Sequence, residues 1–500
     1  TGKSVGMVKM DPYLQLDAGT MSPYEHGEVF VTQDGGECDL DIGNYERFTD
    51  ENLGKVNNIT TGKVYQNVIN KERAGEFLGK TVMLFPHIPN EIKEQILVTA
   101  SKYDVTVIEV GGTIGDLENA PFLEAIRGLK KELGRNNVLT CVVAPLLHLN
   151  YSGEVKTKLI QHAVSDLRKT GVIPDAIICR TEVEMEDDIK EKLALTCDVD
   201  RRALIEAKNV ETIYQVPEYF AKQGFLDFLG EKLDFDTNNS DLKNWSELVA
   251  KITDAPEIVK IGVVGKYTAF EDTYKSINEA FIHAGVANNS QVKLTWIDSE
   301  NIKSKSDVEK ALEGVNGVLI PGGFGDRGVE GKILTVQYLR ENNIPFLGIC
   351  LGLQVAVIEY ARNVCGITDA HSAEFSENSK NLVIDFMEEQ KDITQKGGTM
   401  RLGSYEAKLG KNSLAAKLYG TTNITERHRH RYEVNPDYHD DLESNGLSIS
   451  GKSPTRDLAE FVEISDHKFF IATQAHPEFK SRLERPHPLF VGLVKASLEK

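Results

Sequence analysis

No stretch of this chain runs apolar for the length a bilayer requires. The nearest approach, Ile344–Ala361, is interrupted by Gly348, Gly352, Gln354 and Glu359, so it reads as a buried strand followed by a buried helix, and no membrane partner is expected. No charged segment leading into an apolar one opens the sequence. Cysteine is sparse: six residues, at 38, 141, 179, 197, 350 and 365, with no C-x-x-C spacing. That pattern points to a reducing compartment, hence a cytoplasmic location, and to no zinc site. Positive charge is short as well. With 57 Lys and Arg against 76 Asp and Glu, the formal net charge is −19, which argues against a surface that coats nucleic acid but leaves room for a local phosphate pocket. What is present in quantity is core material, since 500 residues at 40% hydrophobic content can build two or three domains.

The stretch richest in chemistry is Ile344–Gln354, IPFLGICLGLQ. A strand is predicted to end at Gly348, Cys350 follows, and Gly352 opens a helix with apolar positions at Val355 and Ile358. Small residues on both sides of a cysteine permit the tight, strained turn of a nucleophile elbow, and a helix N-terminus favours thiolate. Alone, the pattern equally suits a buried core thiol. Downstream, Phe470–Phe479, FIATQAHPEF, is another apolar strand, ending in His476 with Glu478 two residues on. Cys, His and an acid at one sheet edge are the parts of an acyl-transfer triad.

Taken in order, TGKS at Thr1–Ser4 matches the end of a phosphate-loop motif. That motif needs a strand and a glycine upstream and a helix downstream, whereas Val5–Met10 reads as a strand. Lys9–Phe48 is dense in Asp, Gly and Pro and reads as a long functional loop rather than regular structure, a solvated surface loop being the plainer alternative. In Tyr103–Asp116, YDVTVIEVGGTIGD, a β-branched strand runs into a glycine-rich turn. Glu109 and Asp116 then fall at the carboxyl edge of a strand, where open α/β sheets bind ligands and carboxylates hold Mg²⁺ through phosphate oxygens. Ser152–Gln161, SGEVKTKLIQ, sets Lys156 and Lys158 after the predicted strand Val138–Leu147; such a pair is either solvated surface or a triphosphate clamp. A strand at Pro174–Arg180, with helical patterns between strands, predicts a doubly wound parallel sheet. Apolar content falls through Asp234–Asp241, a helix is expected around Trp245, and a second α/β set begins at Val259, with strands near 259–264, 292–297, 317–321, 344–349, 458–464 and 469–474. The expected division is a first domain over 1–235, a linker over 236–258 and a second domain over 259–500.

GICLG followed far downstream by HPE resembles a class I glutamine amidotransferase domain. The resemblance implies that Cys350 attacks the side-chain amide of glutamine, that His476 relays the proton and that Glu478 orients the imidazole. PGGFG at Pro321–Gly325 is similar to that family's oxyanion strand, which implies that the backbone N–H groups of Gly323 and Leu351 hold the developing oxyanion. Gln354, Glu374 and Arg431 match the rest of the glutamine pocket, where Arg431 can pair with the α-carboxylate and Glu374 with the ammonium.

Over essentially the whole chain, DPYLQLDAGTMSPYEHGEVFVTQDGGECDLDIGNYERF, IEVGGTIGD, SGEVKTKLIQH, GGTMRLG at 397–403 and RHRHRYEVN at 427–435 resemble the CTP synthase family. That implies two doubly wound α/β domains, an N-terminal P-loop-NTPase-like synthase (amidoligase) domain and the glutaminase. It implies a ligase that aminates UTP to CTP through a 4-phosphorylated UTP, with ATP as co-substrate and glutamine as ammonia source. By position, Asp41 and Glu109 match the Mg²⁺ ligands, and Lys9 a lysine beside the phosphates. Asp116, Glu118, Lys156, Gln161 and Lys192 match pyrimidine-nucleotide contacts, Thr157 and Lys158 match nucleotide contacts, and Lys208 and Val210 the adenine side. Pro23, His26 and Val29 match the gate of an ammonia passage. CTP as product and feedback inhibitor, GTP as allosteric activator, a homotetramer and filaments belong to the same expectation. Two departures stand out. The family's first strand, phosphate loop and helix would lie before Thr1, so a truncated N-terminus is expected; and GKVNN at Gly54–Asn58 stands where more arginine is expected, which weakens the case for GTP activation. The alternatives are a glutamine amidotransferase with another acceptor and a catalytically impaired nucleotide-sensing filament protein.

Overall fold

The structure, a computed structural model, describes every residue except 150–153, 239, 267–270, 377–378, 388–396 and 500, and of residue 271 only the main chain. Its contacts divide into two compact units, one of Thr1–Leu16 with Val56–Val249, the other of Asp17–Lys55 with Ala250–Lys500.

In the first unit, Val5–Asp11 lies between Asn58–Thr60 and Val105–Val110, both parallel to it. Helices Thr61–Arg73, Leu84–Ala100 and Ala120–Leu133 bury their apolar stripes (Val64, Ile92, Phe122) against this sheet. A second parallel group orders Leu204–Lys208, Ala176–Thr181 and Cys141–Pro145, covered by Lys158–Lys169 and Asp187–Cys197. The parallel strands are therefore two groups of three among the described residues, with no hydrogen-bonded ladder joining Val105–Val110 to Cys141–Pro145.

The second unit is organised on nine strands. Ser290–Asp298, Glu257–Gly265, Gly317–Ile320, Phe346–Ile349 and Phe470–Thr473 pair in that order, all parallel. Ala459–Ile464, Leu447–Lys452, Arg401–Leu409 and Asn423–His430 extend the sheet antiparallel. Strands buried on both faces read as continuous apolar runs, as Gly317–Ile320, Phe346–Ile349 and Phe470–Thr473 do, and all six strands predicted here fall within a few residues of observed ones. The helix Leu351–Asn363 is buried at every position from Leu351 to Ala361, mostly apolar but with Gln354 and Glu359 among them, and Glu359 pairs with Arg340 at 2.7 Å. Among the described residues no helix is long and apolar enough to cross a membrane.

The reading of Lys9–Phe48 as irregular is corrected by the structure. It contains a short helix Pro23–His26, a hairpin of Phe30–Val31 with Glu37–Cys38, and the helix Leu40–Thr49. The Asp and Gly density that suggested a loop serves the ends of these elements. Asp39 caps the helix by accepting from Leu40 N–H, and Gly35 takes φ 79° in the hairpin turn. The helix is held by tertiary contacts that its composition does not show: Glu46 is fully buried, accepting from Arg427 at 2.8 and 3.1 Å and from Arg482. The segment 17–55, grouped with the first domain in the sequence reading, packs with the second unit.

Candidate active site

Three adjacent parallel strands of the second unit end together. Ile320 registers with Gly348 and Ile349 with Thr473, so PGGFG, Cys350 and QAHPE leave the sheet side by side at its carboxyl edge, where ligands bind in such sheets. Cys350 sits at the strand-to-helix corner with φ 52° and ψ −101°, a conformation costly for a residue with a Cβ. Its neighbours could hardly be larger. A Cβ on Gly348 would stand 2.8 Å from Ala472 Cβ, and one on Gly352 2.2 Å from Ile320 O. Cys350 N–H donates to Thr473 O at 2.8 Å, tying the nucleophile strand to the strand that leads to His476.

The thiol is buried, with Sγ 3.8 Å from Arg429 O and Gln474 Nε2 donating to it at 3.7 Å. His476 Nδ1 and Glu478 Oε1 are 2.7 Å apart, while Nε2 is buried without a hydrogen-bond partner among the described residues. The imidazole lies nearly parallel to Phe479, centroids 5.1 Å apart and planes 14° apart. A Cβ on Gly322 would reach 2.8 Å from His476 Cε1 and 3.5 Å from Cys350 Cβ. Gly322, the thiol and the imidazole therefore border one small space. Burial opposes charge on the imidazole, but Glu478 and then Cys350 outweigh it and bring the His476 pKa up to about 10. A nucleophile, a base and a carboxylate that fixes the base are the requirements of acyl transfer.

Of the residues matched to a glutamine pocket, Gly323, Leu351 and Gln354 connect directly to this centre. Leu351 opens the helix after the nucleophile, where the first N–H groups lack intrahelical partners. Gly323 stands beside it, a Cβ there lying 3.6 Å from Leu351 Cδ2. Gln354 donates to Tyr432 O at 3.1 Å and faces Gln474 at 3.4 Å. Glu374 accepts from Gly325 N–H at 2.6 Å, and burial raises its pKa despite Gly325, Lys266 and Lys332. Arg431 donates to Thr399 Oγ1 at 3.1 Å. Gln474, Gly322 and Lys266 were not singled out by the sequence; the first two lie in quoted motifs, whereas Lys266 carries no local signal.

Segment 17–55 reaches the same centre. Val29 is buried next to Phe30, whose ring meets Phe479 edge-on at 5.0 Å, and Arg429, whose carbonyl faces the thiol, donates to Glu37 Oε1 at 2.9 Å. Pro23 and His26 bound the short helix upstream, with His26 exposed.

In the first unit, Lys9 and Glu109 are register partners, and Lys9 Nζ donates to Glu109 Oε1 at 2.8 Å. Asp11 Oδ1 stands 3.9 Å from the same ammonium, and Asp11 Oδ2 accepts from Asn58 at 2.6 Å. Carboxylates at a strand edge are the oxygen donors Mg²⁺ takes, one or two at a time alongside water and phosphate oxygens. Glu109 fits on that ground. Asp41 lies in the first turn of Leu40–Thr49, in the second unit. Among the described residues no group of three or more metal-ligating side chains gathers.

Asp116 and Glu118 are exposed in the turn after Val105–Val110. Lys156 pairs with Glu154 at 2.6 Å; Ser152 and Gly153, which begin that motif, lie outside the described residues. Thr157 is buried at the start of the helix Lys158–Lys169, where Gln161 donates to its Oγ1 at 3.2 Å and Lys158 is exposed. Lys192 is exposed on Asp187–Cys197, and Lys208 ends a strand of the other sheet, with Val210 just beyond. The two sheets thus carry different parts of the expected nucleotide set.

Residues 1–235 match the family model described as CTP synthase N-terminus, and residues 269–496 that of glutamine amidotransferase class-I. The CTP synthase of Methanocaldococcus jannaschii is 57% identical over 503 residues, spanning 99% of this chain and 93% of that protein. That of Methanococcus maripaludis is 55% identical over 505 residues, spanning 100% and 94%. Among solved structures, the glutaminase domain of Trypanosoma brucei CTPS with bound acivicin is 41% identical, covering 48% of this chain and 94% of that one, with a TM-score of 0.46.

Proposed function

The chain belongs to the CTP synthase family, and from that premise we propose that it aminates UTP to CTP at the expense of ATP, with ammonia released from glutamine. The observation that carries the glutaminase half is the strained Cys350 corner beside the His476–Glu478 pair. Cys350 Sγ attacks the side-chain amide carbon of glutamine. The thiol proton passes to His476 Nε2, whose other nitrogen Glu478 holds. Negative charge gathers on the former carbonyl oxygen, which Gly323 and Leu351 N–H stabilise. Collapse breaks the C–N bond, His476 returns the proton to the departing nitrogen as ammonia, and water hydrolyses the remaining thioester to glutamate and free thiol. Glu374 takes the substrate ammonium and Arg431 its α-carboxylate.

In the synthase half, transfer of the terminal ATP phosphoryl to the uracil O4 makes a leaving group that ammonia displaces. Glu109 and, by family membership, Asp41 would hold Mg²⁺, which would supply charge neutralisation on the phosphates. Lys9 and Lys156 hold phosphate oxygens, Asp116, Glu118, Gln161 and Lys192 contact the pyrimidine nucleotide, and Thr157 and Lys158 take part in nucleotide binding. Lys208 and Val210 border adenine. Pro23, His26 and Val29 line the ammonia passage. GTP activation, CTP inhibition, a homotetramer with filaments and a cytoplasmic location are part of the same proposal, supported by family membership.

Cys350→Ala tests the division of labour. Glutamine hydrolysis should fall by about 10³-fold or more, whereas CTP formation from UTP, ATP, Mg²⁺ and added ammonia should continue. Hydrolysis near the normal rate in that variant would overturn the triad, and loss of the ammonia-fed reaction would overturn the separation of the two chemistries.

A further inference from the structure

Lys266 closes the strand Glu257–Gly265 at the carboxyl edge of the second unit and is 5% exposed. Its Nζ donates to Phe324 O at 2.7 Å and to Gly325 O. From the opposite side, Glu374 accepts from Gly325 N–H at 2.6 Å. Phe324 C=O and Gly325 N–H belong to one peptide, and in a trans peptide these groups point in opposite directions. A buried cation and a carboxylate therefore grip the two poles of a single peptide plane. Gly325 has φ 77°, and a glycine lets a peptide plane take either orientation at little cost, so the local chain leaves the choice open. The next residue upstream but one is Gly323, which the glutaminase reading assigns to the oxyanion.

We propose that Lys266 is a positioning residue for glutamine hydrolysis, locking the Phe324–Gly325 peptide between itself and Glu374 and so setting the oxyanion strand and the ammonium-binding carboxylate together. This rests on the reading of Cys350, His476 and Glu478 as a glutaminase. Lys266 touches neither the thiol nor the imidazole; it acts through the peptide. Substrate binding at Glu374 then pulls on the same peptide that carries the loop, so recognition of the amino-acid head group and placement of Gly323 N–H are one event. A lysine that merely capped two loop carbonyls would affect stability but would not be coupled to Glu374.

The experiment is steady-state glutamine hydrolysis by the full chain carrying Lys266→Met, Lys266→Arg, Glu374→Gln, and Lys266→Met with Glu374→Gln. Cys350 alkylation by iodoacetamide without glutamine is followed in parallel. Lys266→Met should lower kcat/KM by about tenfold or more, with kcat falling as well as KM rising, because part of an oxyanion donor's worth is lost. Lys266→Arg, which keeps a cation with several donors, should recover to within about threefold. The two neutralising changes should be strongly non-additive, as expected of residues acting on one peptide, and alkylation should stay within about twofold in every variant. Lys266→Met within about twofold of the parent, multiplicative losses in the double variant, or alkylation falling in step with hydrolysis would each overturn the proposal. If Lys266→Met does not fold, Lys266→Gln is judged by the same criteria. Hydrolysis persisting in Cys350→Ala would instead overturn the underlying glutaminase reading.

Discussion

Replacing Lys332 by methionine should make the protein more stable at neutral pH and flatten its response to alkali. Lys332 lies in the first turns of the helix Val329–Glu341, is 0% exposed, and its Nζ has no hydrogen-bond partner among the described residues. Burial lowers its pKa from 10.5 to about 7, with Lys266 adding to the effect and Glu374, Cys350 and Asp298 opposing it. In the unfolded chain the amine holds its proton up to about pH 10.4. Between about pH 7 and that value the unfolded state binds more protons than the folded one, so stability contributed by this group climbs as pH rises through the window and is flat below it. At about 1.4 kcal/mol per pH unit, the penalty at pH 7 is on the order of 4 kcal/mol. Methionine has nearly the same length and no charge to desolvate, so little is lost in packing. Lys332→Met should raise the denaturant midpoint at pH 7 by the equivalent of several kcal/mol, and the gain should shrink steadily toward pH 10. Urea titrations of both proteins at pH 7, 8.5 and 10 read this directly. A variant less stable than the parent at pH 7, or one whose gain is the same at all three pH values, would refute the reasoning.

Two further outcomes follow from the second unit. Glu46→Gln leaves the guanidinium groups of Arg427 and Arg482 without their buried counter-charge, which should cost about 3–5 kcal/mol in urea unfolding and open segment 17–55 to proteolysis; a loss under about 1 kcal/mol counts against the cluster as an anchor. Gly322→Ala drives a methyl to 2.8 Å from His476 Cε1, on a ring already backed by Phe479, and should reduce glutamine hydrolysis by about 10²-fold while ammonia-fed CTP formation is kept. An alanine variant with normal hydrolysis means the imidazole has room to move that the structure does not show.

The sequence alone determined the elements whose cause is local. Cys350 between Gly348 and Gly352 announces its own corner, because only residues without a Cβ clear Ala472 and Ile320 O there, and the apolar runs at 317–320, 346–349 and 470–473 announce strands buried on both faces. His476 and Glu478 were legible for the same reason, lying two residues apart at the end of one such run. What only the tertiary structure decided depends on partners far away in the chain. The composition of 40–49 could not reveal that Leu40–Thr49 is a helix, since its stability rests on Glu46 meeting Arg427 and Arg482. Nor could it reveal that segment 17–55 packs with the second unit. Lys266 is one lysine among many until the strand it ends sets it against the Phe324 and Gly325 carbonyls. Backbone propensity and hydrophobic period are written residue by residue, whereas the pairing of buried charges is set by which strands lie side by side, and strand order is a property of the whole fold.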